Sequence, residues 1–311
     1  MDGILPLWKE RGMTSHDCVF KLRKILRTKK VGHGGTLDPD VDGILPICIG
    51  KGTKVIEFLS DSGKIYAGEI TLGYSTTTED ASGEIVEQMS LEKPFSNEEI
   101  DAAMQRLTGE ITQIPPMYSA VKVNGKRLYE YARNNEEVER PQRQAFITSF
   151  QRTSEPIWDA EKKTQKWRFE VECGKGTYVR TLSVDTGKVL GVPAHMSDLT
   201  RLASGGFSKK QALTLDQVAQ LMEKNQMDQA LLPIEFVVKD FQRVDLSEGQ
   251  WVKVKNGARL MYQELGLLAM PSAHLAVFYK DYLVSIYEKH LSKNGVLKPL
   301  KVLRTALEEE E

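Results

Sequence analysis

The sequence predicts an α+β fold: one large mixed unit followed by a small all-β one. Three observations carry this. Helical and strand periodicities alternate irregularly, without the regular strand–helix–strand repeat of a parallel sheet. After Asp240 the chain turns to short β-type runs broken by Gly, Asn, Asp and Ser. With 311 residues, 41% of them hydrophobic, there is core material for a large unit and a small one.

The elements follow in order. His16 to Leu26 sets Val19, Phe20, Leu22, Ile25 and Leu26 at helical spacing behind Ser15 as N-cap, which reads as a basic amphipathic helix. Ile44 to Ile49 is a short buried strand closed by Gly50, Thr53 to Leu59 a helix, and Lys64 to Gly73 a strand. Ser96 caps a helix to Leu107, with Glu99 completing a capping box and Gly109 beyond its end. Ala145 to Thr153 and Lys166 to Cys173 read as strands. Thr181 to Leu190 reads as a helix stopped by Gly191, and Leu215 to Met222 as one capped by Thr214. A boundary near Asp240 divides residues 1–240 from 241–311. In the second part, Trp251-Val-Lys-Val, Leu275 to Tyr279 and Leu283 to Tyr287 are β-runs.

No apolar stretch approaches the roughly 20 residues that span a bilayer, and the N-terminal stretch is charged too soon for a secretory signal. Cys18, Cys48 and Cys173 stand far apart with no CxxC spacing, so neither a disulfide framework nor a zinc ribbon is expected, and the expected compartment is the cytosol. Net charge is -1, which argues against a nucleic-acid partner until its distribution is considered. Lys9 to His33 holds eight Lys/Arg against Glu10 and Asp17, and Lys162 to Arg180 holds six against Glu170 and Glu172. A phosphate polymer responds to the field of one face, and these clusters flank glycine-rich loops.

Three motifs carry chemistry. Val31-Gly-His-Gly-Gly-Thr-Leu-Asp-Pro-Asp-Val-Asp-Gly packs glycines around one histidine and three aspartates, and Pro39 restricts Asp38. A carboxylate fixed in this way can act as nucleophile or base. Asp40 and Asp42 suggest a calcium loop, but the closing Glu is missing and Pro39 interrupts it. In Gly174-Lys-Gly-Thr-Tyr-Val-Arg, Tyr178 and Arg180 share a face if the preceding strand continues. Pro115-Pro-Met-Tyr-Ser-Ala-Val-Lys-Val-Asn-Gly-Lys-Arg-Leu-Tyr joins a rigid turn, an Asn-Gly hairpin signal and aromatics interleaved with cations, as expected of a surface that holds RNA.

Together with Ala194-His-Met-Ser-Asp-Leu-Thr-Arg-Leu, and in this order, these motifs resemble the TruB-type tRNA pseudouridine-55 synthases over about the first 240 residues. The resemblance implies a mixed, mainly antiparallel sheet flanked by helices, and a C-terminal PUA-like RNA-binding unit similar only in position and strand pattern. It implies isomerisation of uridine 55 in the tRNA T-loop by a flipped-base mechanism. Asp38 matches the family's catalytic aspartate, which attacks the sugar or assists glycosidic cleavage. Tyr66 matches the tyrosine that stacks on the base and helps remove the C5 proton, and Arg180 the arginine that pairs with the aspartate. Tyr178 and Leu199 match residues of the uridine pocket, His33 the histidine that meets the T-loop, and Lys9 a basic residue of an N-terminal Lys-Pro motif, expected with them among the RNA-binding residues. Glu10 departs from that proline, and Gly34 and Thr36 replace the Thr and Ala of many members. The implied partner is the tRNA T-arm, bound by a monomer with no cofactor, metal or membrane. A non-catalytic RNA-binding module is the competing reading, and Asp38 discriminates, because binding alone has no use for a buried acid.

Overall fold

The computed structural model describes all residues except Asp61, Ser272, Ala273 and 308–311, so the terminal glutamates lie outside the described residues. Its main sheet contains β1 (Gly3–Lys9), β2 (Val31–His33), β3 (Asp42–Ile49), β4 (Lys64–Leu72), β5 (Gly109–Gln113), β6 (Arg143–Arg152), β7 (Thr164–Cys173) and β8 (Ala194–Ser204). The path runs β1-β3-β8-β4-β7-β6-β5, with β2 paired to β3. All the contacts along it are antiparallel except that of β8 with β3. That exception matters, because it sets Thr200 and Arg201 of β8 beside Asp42 and Gly43, where the glycine-rich loop enters β3. A Cβ at Gly43 would lie 2.2 Å from the Arg201 carbonyl oxygen, so this close approach requires glycine.

Helices cover the sheet. α1 (Ser15–Ile25) and α4 (Leu215–Glu223) bury Val19, Leu22 and Val218 against Leu5, Leu7, Leu45 and Ile47. α2 (Asn97–Gln105) and α3 (Val179–Leu190) bury Ile100, Met104 and Leu182 against Trp167, Phe169 and Val171 of β7. The period-2 burial along β7 leaves its alternate residues exposed, as a strand with one covered face requires. The helix N-caps show two local rules at work. Ser96–Glu99 forms the expected capping box, and Thr214, the expected cap, forms one with Gln217. At α1 the box is Thr14–Asp17, so Thr14 and not Ser15 is the cap; only Thr14 has an acid three residues on.

The C-terminal unit is a five-stranded sheet of β9 (Gln242–Asp245), β10 (Leu260–Met261), β11 (Leu275–Tyr279), β12 (Tyr282–Lys289) and β13 (Val296–Val302), in the order β9-β11-β12-β13-β10. One β-run is corrected. Trp251 and its neighbours lie in helix α5 (Glu248–Val254), where a Ser247–Gln250 box starts the helix and Trp251 and Val254, three apart, are buried. The unit is not loosely appended. Ala276, Phe278, Leu283 and Ile286 pack against Val55, Ile234 and Val238 of the main body in one apolar cluster.

Candidate active site

The loop between β2 and β3 is held from several sides. The Leu37 N–H donates to Ser15 Oγ at 2.8 Å, and that hydroxyl donates to the Leu37 carbonyl at 3.2 Å. Lys9 is fully buried. Its Nζ donates to the carbonyls of Met13 (2.7 Å), Glu10 (3.0 Å) and Pro39 (3.1 Å), and burial pulls its ammonium below the usual lysine value. Arg201, also fully buried, donates to the carbonyls of Thr36 and Gly35 at 3.2 and 3.5 Å. With its backbone groups so engaged, the loop presents Asp38 in one position.

Arg180 meets Asp38 there. The chain does not continue as a strand after Cys173. A turn leads into α3, which places Arg180 in the first helical turn, so Tyr178 and Arg180 do not share a strand face. α3 has no side-chain cap of its own. Buried Gln113 of β5 substitutes: its amide accepts from the Tyr178 N–H at 3.0 Å and donates to the Tyr178 carbonyl at 3.2 Å. The guanidinium grips both carboxylate oxygens, Nε to Oδ2 at 3.1 Å and Nη2 to Oδ1 at 3.4 Å. It also donates at 2.9 Å to the carbonyls of Thr78 and Tyr118. The Arg180 side chain is 7% exposed, whereas that of Asp38 is 40% exposed because it opens onto a cavity. Enclosure by protein pushes the Asp38 carboxyl above the usual carboxylate value; Arg180 opposes this and Asp80 adds to it.

The cavity has a volume of about 640 Å³ and is walled by Asp38, Arg180, Tyr66, Tyr178, Leu199 and His33. Tyr66 of β4 and Leu199 of β8 are buried residues of its wall. His33 Nδ1–H donates to the Gly35 carbonyl at 3.2 Å, and burial lowers its pKa. The segment after Pro115 adds Tyr118, Ser119, Arg127 and Tyr129. Its hairpin turns at Asn124 and Gly125, both with positive φ, as the Asn-Gly signal required. Six of the seven expected site residues thus meet at one cavity. Lys9 does not: it is a buried strut, and a ligand cannot reach it. Asp42 is also structural, bound to Thr200 Oγ1 at 2.6 Å and Arg11 at 3.2 Å. Sequence reasoning gave no role to Gln113 or Arg201. For Arg201 the available signal was its place two residues after Leu199 on a strand, hence on the same face. Among the described residues, no three His, Cys, Asp or Glu side chains form a metal-binding group, and no helix is long and apolar enough to cross a membrane.

The chain matches the family model of the TruB pseudouridylate synthase N-terminal domain over residues 23–179. It matches that of the tRNA pseudouridylate synthase B C-terminal domain over 180–239. A tRNA pseudouridine synthase B of Streptococcus sanguinis is 54% identical, covering 97% of this chain and 99% of that one. Its counterpart in Ligilactobacillus salivarius is 53% identical, covering 94% and 96%. Among solved structures, a Cbf5-Nop10-Gar1 complex contains a chain that superposes with a TM-score of 0.70 at 27% identity, covering 97% of this chain and 85% of that one. Fold and site together define a pseudouridine synthase, an isomerase. Within that class the chain belongs to the TruB family.

Proposed function

We propose that the protein isomerises uridine 55 in the T-loop of tRNA, acting as a monomer in the cytoplasm. The observation that carries this reading is the Asp38–Arg180 pair, gripped at both carboxylate oxygens yet open to a cavity walled by Tyr66, Tyr178 and Leu199. Converting uridine to pseudouridine breaks the N1–C1′ bond, turns the free base and joins C1′ to C5. No atom is gained or lost and no electron is transferred, so the reaction requires no redox cofactor, and this reading includes no metal. It needs a carboxylate at C1′, walls that keep the base, and an acceptor for the C5 proton.

Asp38 fills the first role, and Arg180 keeps it ionised and aimed. Tyr66 and Leu199 hold the ring, and Tyr66 is the proton acceptor. The uridine must leave its stack to reach them, at a cost of a few kcal/mol. Arg127, Tyr129 and His33 stand at the cavity to receive backbone and neighbouring bases. Residues 1–240 carry the chemistry, and the unit from 241 onward adds affinity through phosphate contacts. The apolar cluster joining the two means this division is better tested by substituting exposed Lys289 and Lys293 in the full chain than by truncation. Carbodiimide treatment followed by alkali, which leaves a stable adduct only on pseudouridine, and then fragment mass spectrometry of a T-arm transcript incubated with the protein tests the position: an adduct confined to uridine 55 supports it, and an adduct at another uridine overturns it.

A further inference from the structure

Tyr66 of β4 and Arg201 of β8 are cross-strand partners in the sheet register. Arg201 is a large, fully buried cation, and among the described residues no carboxylate lies within ion-pair distance of it. Its Nε donates to the Ile44 carbonyl at 2.7 Å, and its other nitrogens reach Thr36 and Gly35. Carbonyl oxygens carry only partial charge, so much of the cation's field stays uncompensated in a low-dielectric interior. Burying such a charge costs several kcal/mol. Lys9 shows that a buried cation on carbonyls can serve as a strut alone; what sets Arg201 apart is its cross-strand place beside the Tyr66 phenol. Three titratable groups feel the guanidinium, the His33 imidazole, the Cys173 thiol and the Tyr66 phenol, and of these the phenol is its cross-strand partner. Burial drives that phenol up from its usual value, the Arg201 cation pulls it down, and Cys173 of β7 and Asp38 of the loop push it up.

We propose that Arg201 is a positioning residue for Tyr66, stabilising the phenolate that takes the C5 proton of the rotated uracil. This rests on the reading that the protein isomerises uridine. Once C5 has bonded to C1′, the C5–H bond breaks. Its electron pair restores the C5=C6 double bond, the C6=N1 pair moves onto N1, which takes a proton from water, and the C5 proton passes to the phenolate oxygen. The resulting phenol returns the proton to water, so no further reactant is required.

The test is the single-turnover rate on a T-arm transcript as a function of pH, for the full chain, Arg201→Lys, Arg201→Gln, Tyr66→Phe and the Tyr66→Phe/Arg201→Gln double variant. The rate of the parent should rise with pH. Arg201→Gln should move that rise upward by at least about one pH unit, giving a loss of roughly tenfold at fixed pH below it. Arg201→Lys, which keeps the charge, should move it less, and Arg201→Gln should add little in the Tyr66→Phe background. Slowing by the same factor at every pH, or an equal loss with and without the Tyr66 hydroxyl, would overturn the proposal and leave a merely structural arginine. If Arg201→Gln does not fold, Arg201→Lys carries the test: a rate lowered uniformly with pH counts against the proposal. The phenolate absorbance difference between the parent and Tyr66→Phe, titrated without RNA, gives a second readout. It should move upward in Arg201→Lys, and it separates this idea from the functional reading, since it remains measurable even if no transcript is converted.

Discussion

Two segments reach the same cavity and are built in opposite ways. The loop carrying Asp38 is short and pinned by groups from elsewhere in the fold: Ser15 from α1, Lys9 from β1 and Arg201 from β8. The segment from Pro115 to Arg140 is tied down mainly at its ends. There Arg140 donates to the Pro115 carbonyl at 3.1 Å and pairs with Glu79 at 3.7 Å, while Arg180 holds Tyr118. Its middle hydrogen-bonds to itself, as in Lys126–Glu136 at 2.6 Å and Tyr131 to Val123 at 3.0 Å, and it presents exposed cations beside aromatic rings. The first construction holds a reacting group in place through its loop's backbone. The second allows a surface to adapt to RNA. Chemistry and grip are therefore separable by mutation.

The largest separation should come from Arg180→Ala. Losing a nearly buried guanidinium that aims Asp38 should lower the saturated single-turnover rate by about 2–5 kcal/mol in barrier, with T-arm affinity changed little. Equal losses in rate and affinity would place Arg180 in the grip. Lys9→Met tests the pinning. It strands three buried carbonyls and should cost about 2–4 kcal/mol of stability in urea unfolding. Weakened RNA binding at unchanged stability would instead restore Lys9 as an RNA contact. The grip should respond to Arg127→Ala with Tyr129→Ala: affinity about tenfold weaker with a shallower salt dependence, and the rate at saturation unchanged. The smallest effect is the acid limb of the rate. Because burial raises Asp38, its ionised form should be lost as pH falls through a value above the ordinary carboxylate range of about 4. A limb lying below that range would show that Arg180 outweighs burial.

The pinned loop was also the more legible of the two in sequence. Its glycines, its Asp-Pro step and its place before a buried strand are local features, as are the Ser96 capping box and the Thr214 cap. What escaped depended on distant partners. The start of α3 lies earlier than local signals suggest because its N-cap residue, Tyr178, has no Ser, Thr or Asp side chain and is held instead by Gln113, 65 residues away. Trp251 looked like part of a strand because β-branched valines flank it, yet the Ser247–Gln250 box decided the matter. Lys9 read as a surface cation because charge in sequence carries no burial, and only the fold shows three carbonyls waiting for it. Arg201 was masked in the same way, by a strand whose inward face becomes evident only once β8 lies between β3 and β4.

Glycosidic bond cleavage in this reading depends on one carboxylate, Asp38, whereas Tyr66 serves only the later proton transfer and the rest of the cavity holds the RNA. That dependence is tested most directly by Asp38→Asn, which keeps the side chain's shape and removes its charge. A T-arm transcript is saturated with this variant, binding is measured on the sample, and the RNA is then digested to nucleosides that are separated by chromatography before mass spectrometry, because uridine and pseudouridine have equal mass. RNA should bind to within a few-fold of the parent's affinity, with no pseudouridine formed. Conversion at a rate comparable to the parent's would contradict the dependence on Asp38.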